Sequence, residues 1–388
     1  MFVIYYNILF KKSRPYLTAR QLTRNRKILY YIVTKSRSVK NYGFFDCIVC
    51  GAGPAGSAFS MTAPEDMKIL LLDGGARPKP CGGLLAPDAQ KALARFELTL
   101  PKDILVDPQI FSVRTIDMKT KSVRRYQRMY INVDREKFDR WMVSQVGGNV
   151  KVINARLISC RKTADGFDVI YKTPDGSEMK AKSKYIIGAD GANSFVRRNF
   201  YPKLKTRSYV AIQQWFSVDE NTPKPFYSCI FDPDSSRCCS WSIFKDDYVI
   251  FGGAYEPEHS RRRFEEQKKK MSEFGLELKN PIKTEACMVL RPSSLSSFCA
   301  GGDGVFLIGE AAGLISPSSF EGISSAINSA VALSKAFNSR GNTLRKYNSN
   351  LLPLKLKLLM KNLKCPFMYN PLLRAAVMKS GISSLRIK

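Results

Sequence analysis

The sequence predicts a mixed α/β fold, in which a Rossmann-like βαβ domain interlocks with an antiparallel-sheet domain and C-terminal helices follow. Three observations predict it. A strand, a glycine-rich turn, a helix and a second strand follow one another within residues 44–73. Strand-like runs separated by turn residues fill residues 207–300. An apolar strand at 305–308 then leads into a helix rich in small residues at 322–337. Strand–helix alternation is typical of parallel sheets, and runs of strands are typical of antiparallel ones.

The βαβ unit carries the first functional signal. The apolar strand 44–50 runs into Gly51-Ala-Gly53-Pro-Ala-Gly56, and Asp73 ends the next strand 22 residues after Gly51. Gly51 permits a tight turn, Gly53 lets a pyrophosphate approach the backbone, and Gly56 lets the helix pack on the strand. The N–H groups at the helix start can hold phosphates, and Asp73 can accept a hydrogen bond from a ribose hydroxyl. This spacing predicts dinucleotide binding.

The rest of the chain divides into further predicted parts. Four short apolar runs are expected to form an antiparallel meander, at 150–153, 157–160, 167–171 and 179–181. The predicted organisation is a basic N-terminal extension at 1–40, a discontinuous nucleotide-binding domain at 41–206 and 285–340, a β-rich substrate domain at 207–284, and a basic helical tail at 341–388.

The net charge of +29 comes mainly from the two ends of the chain. Lys and Arg total 62 against 33 Asp and Glu, and residues 1–40 and 341–388 each hold ten bases and no acid. A basic tail can contact anionic lipid or nucleic acid, or it can be a solvated end that keeps the protein soluble. No apolar run reaches the about 18 residues that a membrane span needs.

Residues 1–40 differ from the domain that follows them. Three interpretations compete, namely a transit-type presequence, a short surface anchor, or translated sequence upstream of the true start. We favour the last, because a well-formed strand begins soon after Tyr42. On that basis we expect residues 1–40 to be dispensable for cofactor binding.

Ten cysteines and one histidine limit the possible chemistry. Cys47 and Cys50 have the spacing of metal ligands, but they lie in an apolar run, so burial is expected and no metal site is predicted. A chain of this size without a secretory cleavage pattern is expected to be cytoplasmic, with reduced thiols. The single His259 argues against mechanisms that need a histidine pair or a histidine-containing triad.

Four motifs resemble the FAD-dependent group that includes aromatic hydroxylases, halogenases and geranylgeranyl reductases. They are Gly51–Gly56 with Asp73, Asp134-Arg135-Glu-Lys-Phe138-Asp139, Gly188-Ala-Asp190-Gly191 with Arg197, and Gly309-Glu310-Ala-Ala-Gly313 with Glu321-Gly322-Ile323. The set covers residues 41–340 and implies FAD as the cofactor. Glu310 stands where the group has Asp, and its longer side chain must sit further back to reach the same ribityl hydroxyl.

Two further motifs resemble the geranylgeranyl reductase family. Lys79-Pro80-Cys81-Gly82-Gly83 is similar to the Cys-Gly-Gly turn of that family. The strand 239–245 is similar to the family's Tyr-x-Trp-x-Phe-Pro-Lys strand only at Trp241 and Lys245. The ending 370–381 is similar to that of the CbrA-type bacterial branch. The altered strand bears on the substrate more than on the flavin.

The motifs and the resemblance together give the candidate site residues. Cys81 is a candidate catalytic residue, either as a proton donor beside the flavin or as a small residue in a tight turn. Trp241 is the second, either lining an apolar substrate channel or packing a sheet face. Arg135 and Arg291 are candidates for phosphate contacts. The candidate cofactor-binding residues are Gly51, Gly53, Ala55, Gly56, Asp73, Gly82, Gly83, Arg135, Asp190, Gly309, Glu310, Gly322 and Ile323.

The resemblance implies an FAD-dependent oxidoreductase that reduces isoprenoid double bonds, of the geranylgeranyl or polyprenyl type, by hydride transfer from reduced FAD. Two alternatives stay open: a flavin-dependent monooxygenase of an aromatic or lipid substrate, and a non-catalytic flavin-binding protein at a membrane surface. No separate nicotinamide domain is visible, so NAD(P)H and other reductants are both compatible with the sequence. We expect a small-molecule or lipid substrate and no nucleic-acid partner.

The tail at 341–388 offers a membrane contact. Leucines between 351 and 363 alternate with Lys355, Lys357, Lys361 and Lys364. In one interpretation this helix lies among anionic headgroups, which would make the protein peripheral on the inner face of the membrane. In the other, the leucine face packs on the flavin domain and the lysines are merely solvated.

Overall fold

The computed structural model describes residues 40–74, 79–204, 206–218 and 227–385. The predicted extension lies outside the described residues except for Lys40. The strands are β1 (Lys40–Cys50), β2 (Ile69–Leu72), β3 (Leu84–Leu85), β4 (Ile110–Asp117), β5 (Ser122–Asn132), β6 (Val150–Ile153), β7 (Arg156–Thr163), β8 (Gly166–Lys172), β9 (Glu178–Gly188), β10 (Ser208–Ser217), β11 (Tyr227–Phe231), β12 (Cys239–Lys245), β13 (Tyr248–Tyr255), β14 (Lys283–Leu290), β15 (Gly301–Gly302) and β16 (Val305–Leu307). The helices are α1 (Pro54–Thr62), α2 (Pro87–Leu93), α3 (Arg135–Ser144), α4 (Phe195–Phe200), α5 (Ser260–Lys270), α6 (Ile323–Phe337), α7 (Thr343–Asn362), α8 (Cys365–Tyr369) and α9 (Pro371–Ser380).

The first sheet is Rossmann-like, with the strand order β15-β16-β9-β1-β2-β6. The pairs from β16 to β6 are all parallel, and β7 and β8 extend β9 as antiparallel strands. The prediction that β6 belongs to the meander is therefore wrong. β6 pairs with β2 after a crossover through α3, and local alternation carries no information about such a distant partner.

The second sheet has the order β14-β10-β13-β12-β11-β4-β5-β3. Its pairs are antiparallel, except that β4 lies parallel to β11. This sheet draws strands from 84–132 and 283–290 as well as from the predicted segment 207–284, so the two domains interlock more deeply than their sequence boundaries indicate. Helix α5 covers one face, where Phe264 packs against Phe251 with ring centroids 5.6 Å apart.

Among the described residues, two main apolar cores stabilise the sheets, and two smaller buried clusters accompany them. The larger core lies between the first sheet and helices α1, α6 and α7, and it includes Cys47, Val49 and Ile187. Cys47 and Cys50 are buried, as their apolar run predicts. The smaller core lies between the second sheet and α5. Two sheets, the parallel βαβ arrangement and the helical tail together confirm the predicted mixed α/β fold.

The tail packs on the first sheet instead of standing apart. In α7, Tyr347, Leu351 and Leu358 are buried, and the Tyr347 hydroxyl donates to the Leu307 carbonyl oxygen over 2.7 Å. No helix among the described residues has both the length and the apolar character that crossing a bilayer requires.

Three ion pairs fasten the described part of the tail. Lys357 and Lys361 both donate to the Asp88 carboxylate, at 2.7 and 2.9 Å. Burial raises the pKa of Asp88, but the two ammonium groups outweigh it and lower that pKa to about 2. In α9, Arg374 pairs with Asp117 over 2.8 Å, and their side chains are only 5% and 0% exposed.

The buried pair gives a test of how α9 is held. Replacing Arg374 with Met keeps most of the packing volume but leaves the Asp117 carboxylate buried without its cation. The free energy of unfolding should fall by about 3–5 kcal/mol, measured by urea denaturation. The control is Arg140→Met, because Arg140 pairs with Glu136 at the surface and its loss should have little effect. Equal effects of both changes would contradict this view of the Arg374–Asp117 pair.

Candidate functional site

A cavity of about 1030 Å³ lies where the parallel strands of the first sheet end, and the second sheet closes its other side. Most of the predicted site residues line it. They are Gly51, Gly53, Ala55, Asp73, Cys81, Gly82, Gly83, Arg135, Asp190, Trp241, Glu310, Gly322 and Ile323. Gly56 and Gly309 do not line it, and they lie in the packing behind its wall. The motifs are thus brought together although Gly51 and Ile323 are 272 positions apart in the chain.

The glycines of the first turn have different physical roles. Gly51 has φ +108°, and a Cβ there would meet the Ala189 carbonyl oxygen at 2.6 Å. A Cβ on Gly56 would lie 1.9 Å from the Gly51 carbonyl oxygen. A Cβ on Gly53 would meet no atom within 4 Å. Gly51 and Gly56 therefore permit the fold itself, whereas Gly53 keeps open a space in front of the helix.

Two helices begin at the cavity without a side-chain cap. Gly53 is the N-cap of α1 and Gly322 is the N-cap of α6, and neither helix receives a hydrogen bond from a capping side chain. Gly309 has φ +58°, and a Cβ there would meet the Ala55 Cβ at 2.9 Å, so the glycine lets the two segments approach. Uncapped helix N-termini present N–H donors and positive potential, which suit anionic groups.

Asp190 follows β9 and faces the same cavity. Its Oδ2 accepts hydrogen bonds from the N–H groups of Phe195 and Val196, at 2.7 and 3.2 Å, so it helps to cap α4. Its Oδ1 is buried and has no hydrogen-bond partner among the described residues. Burial raises the pKa of this carboxyl. A buried acceptor without a donor is costly, so this atom suits a ligand that brings a hydroxyl or N–H group.

Glu310 is held by two contacts from other segments. Its Oε1 accepts from the Leu290 N–H at 2.9 Å, and its Oε2 accepts from Lys79 Nζ at 2.7 Å. The carboxylate thus ties the start of the Cys-Gly-Gly turn to the first sheet. Each oxygen keeps a further lone pair that can accept from a ligand in the cavity.

Cys81 lies at the centre of a positively charged part of the cavity wall. The Gly83 N–H donates to its sulfur over 3.5 Å, and Arg135, at the start of α3, is held by Asp139 at 2.9 Å. Burial raises the pKa of the Cys81 thiol, but Arg135, the Gly83 N–H and Lys79 outweigh it, so the pKa is below its usual range. The Cys81 thiol is thus linked electrostatically to two neighbouring cations, and its catalytic role stays a prediction.

Lys245 lies directly behind the Cys-Gly-Gly turn. It is buried, and its Nζ donates to Asn132 Oδ1 at 2.6 Å and to the Val133 carbonyl oxygen at 2.7 Å. Gly83 has φ +63°, and a Cβ there would meet Val133 O at 2.2 Å and Lys245 Nζ at 2.8 Å. Burial lowers the pKa of Lys245 to about 8. This lysine therefore supports the turn through hydrogen bonds to an amide oxygen and a carbonyl oxygen.

The opposite wall of the cavity is mostly apolar and aromatic. Trp241 and Ile243 point into it from β12, and Tyr227 does so from β11. The Trp241 indole lies against Gly252, where a Cβ would be 2.7 Å from its Nε1. Trp241 thus packs on the sheet and also lines the cavity, and its contact with a substrate stays a prediction.

Several residues of this site escape the sequence analysis. Tyr130 donates to Glu321 Oε1 over 3.2 Å, and Cys287 lies in the wall near Pro80. Lys79 belongs to the Cys-Gly-Gly motif, two residues before Cys81, and that position could have marked it as a candidate. Tyr130 and Cys287 lie on strands whose place in the second sheet depends on distant pairing. Arg291, which the sequence offers as a candidate for a phosphate contact, does not line the cavity. It donates to the Pro317 carbonyl oxygen and lies over the Tyr369 ring.

Comparison with known proteins is consistent with this geometry. The family model described as FAD binding domain matches residues 114–343, which is more than half of the chain. The chain therefore belongs to this family of FAD-binding proteins, within the FAD-dependent oxidoreductase superfamily. Protein CbrA of Escherichia coli K12 is 45% identical over 351 residues, which cover 88% of this chain and 98% of CbrA.

Solved structures share the fold at low sequence identity. A geranylgeranyl bacteriochlorophyll reductase-like protein from Thermoplasma acidophilum aligns with a TM-score of 0.72 and 17% identity, over 88% of this chain and 92% of that chain. PqsL of Pseudomonas aeruginosa, a probable FAD-dependent monooxygenase, aligns with a TM-score of 0.64 and 15% identity, over 87% of this chain and 100% of PqsL. The predicted FAD-dependent superfamily is confirmed, and the reductase branch within it stays a prediction.

The described residues fit FAD on structural grounds. The open side of Gly53, the two uncapped helix N-termini and the unpaired Asp190 Oδ1 all face or border one cavity. These are the features expected for pyrophosphate and hydroxyl groups of a dinucleotide.

The two glycines of α1 should respond differently to alanine. Gly53→Ala should give folded protein with greatly reduced FAD content, because its methyl projects only into the open space. Gly56→Ala should give unfolded or insoluble protein, since the methyl collides with Gly51. Circular dichroism reports the fold and flavin absorbance reports the cofactor. A Gly53→Ala protein with full FAD content would contradict the assigned role of that glycine.

Lys245 should make stability depend on pH in a defined direction. Its folded pKa of about 8 lies below the ordinary value of about 10.4, so the unfolded chain binds more protons between those two pH values. The contribution of Lys245 to stability should therefore rise with pH across that window. Lys245→Met removes this dependence, so the difference in unfolding free energy between wild type and variant should change between pH 7 and pH 10. A constant difference would show that the lysine titrates normally.

Proposed function

We propose that the protein is a cytoplasmic FAD-dependent oxidoreductase that reduces carbon–carbon double bonds of an isoprenoid lipid of the geranylgeranyl or polyprenyl type. NAD(P)H or another donor would reduce the cofactor. One observation carries the proposal: Cys81, with its lowered pKa, lies in the same cavity as the uncapped helix starts on one side and the wall of Trp241, Ile243 and Tyr227 on the other. An acidic thiol next to an apolar wall suits protonation of a hydrocarbon.

In this proposal, different residues of the chain bind the cofactor, bind the substrate and donate the proton. The α1 and α6 starts, with Asp190 and Glu310, hold the cofactor, whose reduced form supplies the hydride. The aromatic wall takes up the apolar chain and excludes water. Cys81 donates a proton to the other alkene carbon, and Arg135 and Lys79 stabilise the thiolate that results. Tyr130 and Glu321 supply the polar groups where the wall meets α6.

The reaction can be tested without knowing the natural electron donor. Purified protein with FAD is reduced with dithionite in the absence of oxygen and mixed with geranylgeranyl-bearing lipid. Flavin absorbance should return to the oxidised form, and mass spectrometry should find products heavier by two hydrogens per reduced bond. Reoxidation only in air, with oxygen incorporated into the product, would instead support the monooxygenase alternative. PqsL, a probable FAD-dependent monooxygenase, has the same fold.

Cys81→Ala should lower the rate of lipid reduction by about 10²-fold, because the proton donor is lost, while FAD content stays normal. Cys287→Ala is the matched control. Cys287 lines the same cavity, but burial raises its pKa to about 11, and its loss should leave the rate nearly unchanged. Equal rates for wild type and Cys81→Ala would remove Cys81 from the mechanism.

A further inference from the structure

A row of outward-facing apolar side chains runs along α7 and continues into α8. We call Leu352, Leu356, Met360, Leu363 and Phe367 the outer stripe. Their spacing of three or four residues places the α7 members on one helix face, and each is between 50% and 64% exposed. This face lies opposite the buried face of Tyr347, Leu351 and Leu358. The helix therefore has two apolar faces, and only one of them meets the rest of the described protein.

Helix α9 extends this surface in an unusual orientation. Its buried side holds Arg374, which binds Asp117 and the Met368 carbonyl oxygen. Its outer side holds Leu372, Leu373 and Val377, and Leu372 is 81% exposed. A surface helix normally buries its leucines and exposes its arginines. Here the ion pair holds the helix so that its leucines face outward.

The cations near these side chains are not all available to a partner. Lys357 and Lys361 are bound to Asp88, so they fasten α7 to the protein. Lys364 and Lys379 are exposed and have no acidic partner among the described residues. The tail contains no acid at all between 341 and 388. The charged residues that the tail itself brings to this surface are therefore all basic.

The same surface is attached to one wall of the cavity. The Tyr369 hydroxyl in α8 donates to the Ser318 carbonyl oxygen over 2.6 Å, and the Cys365 thiol lies 3.6 Å from the Pro317 carbonyl oxygen. The next residues along the chain, Ser319–Glu321, line the cavity. A partner bound to the outer stripe would therefore lie near the segment that borders the site.

We propose that the outer stripe and the outer side of α9 dock on an anionic phospholipid bilayer, with the apolar side chains inserted among the headgroups. An apolar face bordered by lysines is suited to such a surface. A second copy of the chain is disfavoured, because it would bring the same acid-free tail and a net charge of +29 to the contact. The inference does not depend on the proposed reaction.

The test is flotation of the FAD-bound full chain with phosphatidylcholine vesicles, with or without phosphatidylglycerol. We expect flotation with the anionic vesicles, weakened by added salt. The double variant Leu356→Gln and Met360→Gln should reduce the bound fraction by on the order of tenfold or more. These residues are exposed, so flavin absorbance should be unchanged. Lys364→Glu with Lys379→Glu should weaken the preference for anionic vesicles.

The matched control is Ile158→Gln with Ile282→Gln, two exposed isoleucines outside the tail. This variant should bind vesicles like the wild type. The proposal is overturned if the wild type does not float with anionic vesicles. It is also overturned if the Leu356→Gln and Met360→Gln variant binds as well as the Ile158→Gln and Ile282→Gln control. It is also overturned if light scattering finds a dimer that the Leu356→Gln and Met360→Gln changes dissociate, because the stripe would then join two copies. None of these readouts uses catalysis, so failure of the proposed reaction would leave them unaffected.

Discussion

The close approach of α1 to β1 is the constraint on which the rest of the site depends. Gly56 can lie against the Gly51 carbonyl only because it has no Cβ, which would lie 1.9 Å from that oxygen. Gly309 permits a similar approach on the neighbouring segment, against Ala55. Through these contacts two helices begin at the same edge of the parallel sheet, and both present N–H donors there. Larger residues at these glycines would push the helices outward and separate the donors.

The chemistry of the site comes from segments that the two sheets hold in place. The Cys-Gly-Gly turn is tied to the first sheet by Lys79 and Glu310 and supported by Lys245 from the second. Cys81 therefore lies in a turn that both sheets hold in place. The aromatic wall belongs to the second sheet alone.

Much of this arrangement could be predicted from the sequence. The βαβ unit, the small-residue helix and most cofactor-binding candidates depend on local spacing, and the structure brings them to one cavity. What escaped prediction depends on distant partners. The parallel pairing of β6 and the membership of β4 and β5 in the second sheet are examples. The contact of Lys79 with Glu310 joins residues 231 positions apart, and no local pattern indicates it.

The cavity is bordered by the large core of the first sheet on one side and by smaller apolar clusters of the second sheet on the other. A ligand that contacts both walls therefore links the two sheets, and its binding free energy becomes part of the folding free energy. For a ligand that binds only the folded state, a concentration of a hundred times Kd adds about 2.7 kcal/mol. The thermal stability of this protein should thus be a property of the chain and its cofactor together. Cofactor supply would then determine how much of the protein persists in a cell.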